Sequence, residues 1–201
     1  MRQGNRYLLA LYTSPRRKGN TATLLDALAG GAEDAGLRVE RFHTATMDIR
    51  PCRACNHCFK EGECIQQDDM QVIYPHLFAA GAVAMAAPIF SMNICAQAKA
   101  LIDRCQRQWS IRYVLEKEPV DRVFAEERRG FFLSCCGRDK PETFDCTRPT
   151  LAYFFFIIGV GNWDSLTFAG VDEAGDILKV EGAVDKARSM GEDLAQMAMP
   201  H

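Results

Sequence analysis

At 201 residues, with 48% hydrophobic and 25% charged residues, the chain has the composition of a soluble globular protein and enough length for one domain with a sizeable core. Its formal charge of −2 supplies no global basic field, so nucleic acid is not an expected partner. The longest nearly apolar stretch, Leu77 to Phe90, is too short to span a bilayer, the N-terminal apolar run is too short for a signal peptide, and nine cysteines are an odd number. No membrane partner and no disulfide framework are therefore expected, and the chain reads as cytoplasmic.

Tyr7 to Tyr12 (YLLALY) is a short continuous apolar run, the mark of a strand buried on both faces of a parallel sheet. The loop after it, Thr13 to Thr21 (TSPRRKGNT), leads into a helix with Leu24, Leu25, Leu28, Ala32 and Ala35 on one face. A hydroxyl-rich basic loop at a helix start offers donors to one phosphate. It equally suits an ordinary capped helix, with Asn20 or Thr21 as N-cap and Arg16 to Lys18 solvated. Neither GxGxxG nor GxxxxGK[ST] is present. Gly36 ends the helix, and Leu37 to Phe42 alternates as a strand near a sheet edge.

The next stretch, Pro51 to Cys64 (PCRACNHCFKEGEC), holds Cys52, Cys55, Cys58 and Cys64 with two, two and five residues between them. Thiolates so close together can turn inward on one metal centre, which suits an iron–sulfur cluster and, less well, a single zinc. Cys64 lies in the same short segment with no proline after it, so one self-contained cluster is expected. His57, inside this loop, reads as an exposed polar residue.

Asp68 or Asp69 is expected to cap a second helix that runs to about Ala80, with Met70, Ile73, Leu77 and Phe78 inward. Val83 to Ala87 reads as a central strand ending at Pro88. Helical spacing from Ile94 through Ala98, Leu101, Ile102 and Cys105 gives a third helix to about Gln108. Residues 109–129 show no clean period and read as an irregular insertion. Phe131 to Leu133 is a fourth strand, ending in SCCGRD. Thr147 to Ile158 is an aromatic helix whose YFFF run reads as core, and Leu166 to Val171 is a fifth strand. Val184, Ala187, Met190, Leu194 and Met197 form the inward face of a last helix.

Five strands alternating with helices define an α/β fold: a doubly wound parallel sheet with helices on both faces. The loops after strands one, three and four, Thr13 to Thr21, Pro88 to Gln97 and Ser134 to Asp139, then converge on one crevice at the C-terminal strand ends.

Three motifs in order, SPRRKGNTATLL, the compact cysteine segment followed by QQDDM, and PIFSMNICAQAKALIDR, resemble the iron–sulfur flavoproteins of the flavodoxin-like NADPH-dependent FMN reductase superfamily. The resemblance covers most of the chain. It implies a flavodoxin-like domain over residues 1–201 with sheet order 2-1-3-4-5, a cluster loop at 50–66, non-covalent FMN and a [4Fe-4S] cluster, in a homodimer or homotetramer. Ser14, Arg16, Asn20 and Thr21 match the positions that hold the FMN phosphate. Pro88, Ile89, Phe90, Ser91, Met92 and Asn93 match the loop lining the isoalloxazine ring, Cys136 and Gly137 the loop on its far side, and Cys52, Cys55, Cys58 and Cys64 the cluster ligands.

Thr13 stands where the family often has glycine and Phe90 where it often has tyrosine, and Cys135–Cys136 replace a glycine-richer turn. These vicinal cysteines read as small packing residues, since adjacent cysteines bridge only with strain. Cys95, Cys105 and Cys146 read as buried structural residues. The function expected is electron transfer between FMN and the cluster, with a redox partner such as a ferredoxin or NAD(P)H and no obligatory side-chain acid or base. Two other readings share these residues: an NAD(P)H-dependent FMN, quinone or nitro-compound reductase with zinc or no metal at the cysteines, and a metal-binding redox-sensing module without turnover.

Overall fold

The computed structural model describes residues 6–198. Its strands are β1 (Tyr7–Tyr12), β2 (Arg38–Phe42), β3 (Ala82–Ala86), β4 (Ile89–Phe90), β5 (Asn93–Ile94), β6 (Arg129–Cys135) and β7 (Asn162–Phe168). Its helices are α1 (Asn20–Asp34), α2 (Cys58–Glu61), α3 (Met70–Ala79), α4 (Ala96–Arg104), α5 (Gln106–Tyr113), α6 (Arg122–Glu127), α7 (Arg148–Ile157) and α8 (Ala183–Ala198). Five strands form one parallel sheet in the order β2-β1-β3-β6-β7, while β4 and β5 pair as a separate antiparallel hairpin. With that hairpin set aside, the order is the expected 2-1-3-4-5.

Alternation along the central strands divides the core in two. Leu9, Leu11, Val83 and Met85 face α3, α4 and α7, and Leu8, Ala10, Ala82 and Ala84 face α1 and α8. Two glycines let α1 and α8 cross with their backbones in contact. A Cβ on Gly191 would stand 1.9 Å from the Leu28 carbonyl oxygen, and one on Gly31 would stand 2.2 Å from that of Arg188. Gly191→Ala is therefore expected to destabilise the fold by about 1–3 kcal/mol, the usual cost of overpacking. Urea denaturation measures the loss directly.

Several elements differ from the sequence reading, each for a physical reason. The fifth strand begins at Asn162, not Leu166. It is the sheet's edge, half of its residues face solvent, and no apolar run marks its start. The expected third helix is two. The Arg104 carbonyl accepts the Tyr74 hydroxyl (3.2 Å), and the chain breaks at Cys105 before resuming as α5. Residues 109–129 thus contain the rest of α5 and all of α6. Arg128 closes this segment. Buried, it donates to the Leu77 and Ala80 carbonyls (2.8 Å each) and to that of Ile158, at the C-terminal ends of α3 and α7. Burial lowers its pKa to about 10, which still leaves a cation at neutral pH to complement two helix dipoles.

In α7, Phe154 and Phe155 are core, but Tyr153 and Phe156 are exposed, as is Met197 on α8. Cys95 and Cys105 are buried as expected. Cys146 is exposed, because it sits in the 3-10 segment Pro141–Thr147 that leads over the surface into α7.

Candidate functional site

The loop from Thr13 to Gly19 joins the C-terminal end of β1 to α1. Thr13 bridges two strand ends: its N–H and its hydroxyl both donate to the Ala86 carbonyl, at 3.0 and 2.8 Å. Ser14 Oγ accepts the Arg16 N–H (3.2 Å), and the Arg16 guanidinium donates to the Asp172 carbonyl (3.2 Å). The N-cap position falls on Gly19, which supplies no side-chain cap. Asn20 does not cap the helix. Its side chain is bolted to the loop after β7, donating to the Glu173 carbonyl (2.8 Å) and accepting the N–H groups of Gly175 (2.9 Å) and Ile177 (3.3 Å).

Thr21 is different. It is 2% exposed, yet its hydroxyl has no hydrogen-bond partner. It lines a small recess with Ser14, Arg16 and Arg17 at the start of a fifteen-residue helix, whose first-turn N–H groups lack intrahelical acceptors. A buried unpaired hydroxyl beside two guanidinium groups and a helix N-terminus fits a phosphate dianion.

The second loop, Pro88 to Asn93, is the β4–β5 hairpin. Ser91 and Met92 occupy its two turn positions at φ 50° and 64°, a left-handed pair that non-glycine residues adopt under strain. The turn holds Phe90 and Met92 out at 48% and 43% exposure, and Asn93 Oδ1 accepts the Ile94 N–H at its base. Pro88 contributes its carbonyl to the Cys95 N–H (3.2 Å), and Ile89 pairs with Ile94 across the hairpin.

The third loop follows β6. The Cys136 N–H donates to the Phe168 carbonyl (3.1 Å) and its thiol to that of Arg138 (3.1 Å). A Cβ on Gly137 would stand 2.7 Å from Asp172 Cγ, so only glycine fits there without moving the loop that braces Arg16. Burial pushes the Cys135 thiol up to about 12 and raises Cys136 as well, and no disulfide joins them. Between Met92 and residues 138–143 lies an open cleft of about 400 Å³ that presents Arg138 and Lys140.

The cysteine loop is built differently. Cys52 and Cys55 are exposed, and Cys58 and Cys64 partly buried. Ala54 and Asn56 are left-handed at φ 51° and 56°, and α2 ends on Gly62 at φ 73°. His57 is half-buried at the start of α2 rather than exposed, because the chain turns helical there. Ser110 Oγ donates to the Cys58 carbonyl (2.6 Å).

The two aspartates anchor the loop's ends. Asp69 accepts the Asp48 N–H (2.7 Å), and Asp68 accepts those of Arg50 (3.1 Å) and Met70 (3.2 Å). Asp68 also pairs through both oxygens with Arg104, whose side chain is 1% exposed against 0% for the carboxylate. The same guanidinium donates to the Arg50 carbonyl (2.8 Å) and to Cys64 Sγ (3.3 Å).

Among the described residues no three Cys, His, Asp or Glu side chains are gathered tightly enough to hold an ion. The donor set is nonetheless four thiols on one braced loop, with a cation already directed at one sulfur. Burial raises the Cys58 thiol, a hydrogen bond with Ser110 works against it, and the charges of Cys52 and Cys64 add to the rise. That chemistry fits an iron–sulfur cluster.

Burial tends to raise the Asp68 carboxyl, but Arg104 and the two N–H donors hold it below its ordinary value. A depressed folded pKa contributes stability that is complete above the unfolded value of about 3.9 and is lost as pH falls through the folded one. Limited proteolysis between pH 7 and pH 3 should show cleavage around residues 48–66 appearing only on the acid side of about pH 4. Cleavage already present at neutral pH would contradict the anchoring.

The sequence reading missed Arg104 and Ser110 as part of this site. Their only signal was position. Arg104 is the last residue of α4, and its side chain reaches Asp68 and Cys64 across the fold.

The family model for NADPH-dependent FMN reductase matches residues 7–131, more than half of the chain, and the chain belongs to that family. It is 38% identical to an iron–sulfur flavoprotein of Archaeoglobus fulgidus over 45% of its length and 41% of that protein's. It is 26% identical to one of Methanocaldococcus jannaschii over 94% of its length and 96% of that one's. Of several curated relatives the matched region spans half or less, at 41%, 50% and 48% of their lengths. A solved flavodoxin from the domain Archaea superposes with a TM-score of 0.56 at 12% identity, over 96% of this chain and 98% of that one. The fold is flavodoxin-like and the chain is an FMN-binding flavoprotein. No helix among the described residues is long and apolar enough to cross a membrane.

Proposed function

We propose that this flavoprotein transfers electrons between FMN in the crevice and a [4Fe-4S] cluster held by Cys52, Cys55, Cys58 and Cys64. FMN takes electrons in pairs and releases them singly, and a cluster moves one at a time, so together they join two kinds of carrier. The chain's residues bind and orient both groups. Arg16, the Thr21 hydroxyl and the first turn of α1 would receive the phosphate, and the strained hairpin at Ser91 and Met92 with the Cys136–Gly137 loop would flank the ring. The observation that carries this reading is Arg104: a buried cation, paired to Asp68, whose third direction ends on a cysteine sulfur.

The second reading is a reductase of FMN, quinones or nitro compounds driven by NAD(P)H, whose donor would enter the cleft beside Met92, lined by Arg138 and Lys140 together with Asp139 and Glu142. Stopped-flow reduction separates the two. Fast bleaching of flavin by a reduced ferredoxin, with slow bleaching by NADPH, is the result expected. Rapid hydride transfer from NADPH in a chain holding no iron would overturn the electron-transfer reading.

A further inference from the structure

Gln108 and Ile111 stand three positions apart on one side of α5, Arg104 is the last residue of α4, and Leu115 lies just beyond the end of α5. Three of the four touch the cysteine loop. Arg104 donates to Cys64 Sγ at 3.3 Å, while Leu115 Cδ1 and Ile111 Cγ1 stand 3.1 and 3.6 Å from where a Cβ on Gly62 would lie. The i, i+3 spacing places Gln108 on the same side of α5 as Ile111, the side that packs on Gly62. Gln108 is fully buried, and neither its Nε2 nor its Oε1 has a hydrogen-bond partner.

A buried amide with no partner destabilises a fold, and leucine would fill the same space without that cost. An unpaired donor beside a loop of four thiols points to an acceptor that arrives with the cofactor.

We propose that Gln108 donates a hydrogen bond to the sulfurs of the cluster and, with Arg104, sets the cluster's reduction potential. The inference rests on the cluster reading above and assigns a residue to it. One-electron reduction adds one negative charge to the cluster. Donors aimed at its sulfurs stabilise that added charge and raise the potential. Arg104 acts with its charge offset by Asp68, whereas the neutral amide acts without a counter-charge.

The test uses chain purified and reconstituted without oxygen, as wild type, Gln108→Leu and Gln108→Asn. Each is titrated with dithionite while the cluster is followed by electron paramagnetic resonance and FMN by absorbance. With iron and sulfide contents equal, the cluster potential of Gln108→Leu should lie below that of wild type, and the FMN potential should move less. Gln108→Asn, which draws the amide back by one methylene, should shift in the same direction and decides the question if Gln108→Leu loses iron.

Melting of the iron-free chains gives a second readout. Iron-free Gln108→Leu should melt above iron-free wild type, since it removes an unpaired amide. A loss of melting temperature there would mean that the amide is already paired within the protein, and would overturn the inference. An unshifted cluster potential in a loaded variant would overturn it while leaving the cluster reading intact. A wild-type chain that takes up no cluster would overturn both.

Discussion

Arg104→Met should destabilise the chain by about 3–5 kcal/mol, the cost of leaving one partner of a buried ion pair without the other. Asp68 would remain at 0% exposure with its carboxylate facing a thioether, and the Arg50 carbonyl would lose its donor. The loss should appear as a lower urea midpoint. It should be smaller in the double variant Asp68→Asn with Arg104→Met, because the orphaned charge is then absent and neighbouring sites in one network are not additive. Since Asp68 and Arg104 tie Arg50 and Cys64 together, iron uptake should fall in the single variant. A stability change below about 1 kcal/mol would show the pair to be a solvated contact instead.

Cys58→Ala should remove nearly all bound iron, about four per chain for a four-cysteine cluster, while flavin content stays near that of wild type. The two sites are anchored by different elements. The cysteine loop hangs on Asp68, Asp69, Arg104 and Ser110, whereas the loops proposed for the flavin are held by Thr13, Asn20 and the ends of β3 and β6. Folding stability should change little, because Cys58 is only partly buried and no disulfide depends on it. Iron content measured by a colorimetric chelator assay alongside flavin absorbance reads both quantities in one preparation. Unchanged iron in Cys58→Ala would exclude this cysteine as a ligand.

Much of this architecture is written in local pattern. Tyr7–Tyr12 and Ala82–Ala86 are buried on both faces, so they appear as unbroken apolar runs, and with α1 and α3 between them they define the parallel sheet. Loops that end such strands must meet at one edge, which is how Ser14, Phe90 and Cys136 could be assigned to a single crevice before any coordinates. Edge geometry is less legible. Of the seven residues Asn162–Phe168 three are exposed and only Leu166 is buried, so the strand carries no continuous apolar signal.

The cysteine loop divides the same way. Its four thiols are legible because ligand chemistry requires that residue type at short spacing. Its supports are not: Arg104 lies some forty residues beyond Cys64, and its contact with the sulfur is made only in the folded chain. Asn20 shows the reverse case. Its residue type suits a helix cap, but its side chain is drawn to Glu173, Gly175 and Ile177, a loop more than 150 positions away. Such long-range pairing leaves no mark on the local sequence.

One chain is expected to hold both a flavin and an iron–sulfur cluster. Purification without oxygen, followed by counting iron, acid-labile sulfide, zinc and FMN per chain with a visible spectrum, tests it most directly. About four irons, four sulfides and one FMN per chain are expected from a single four-cysteine [4Fe-4S] site beside one flavin crevice. Zinc in place of iron, or FMN with neither metal, would contradict it and leave a flavin reductase whose cysteine loop serves another purpose.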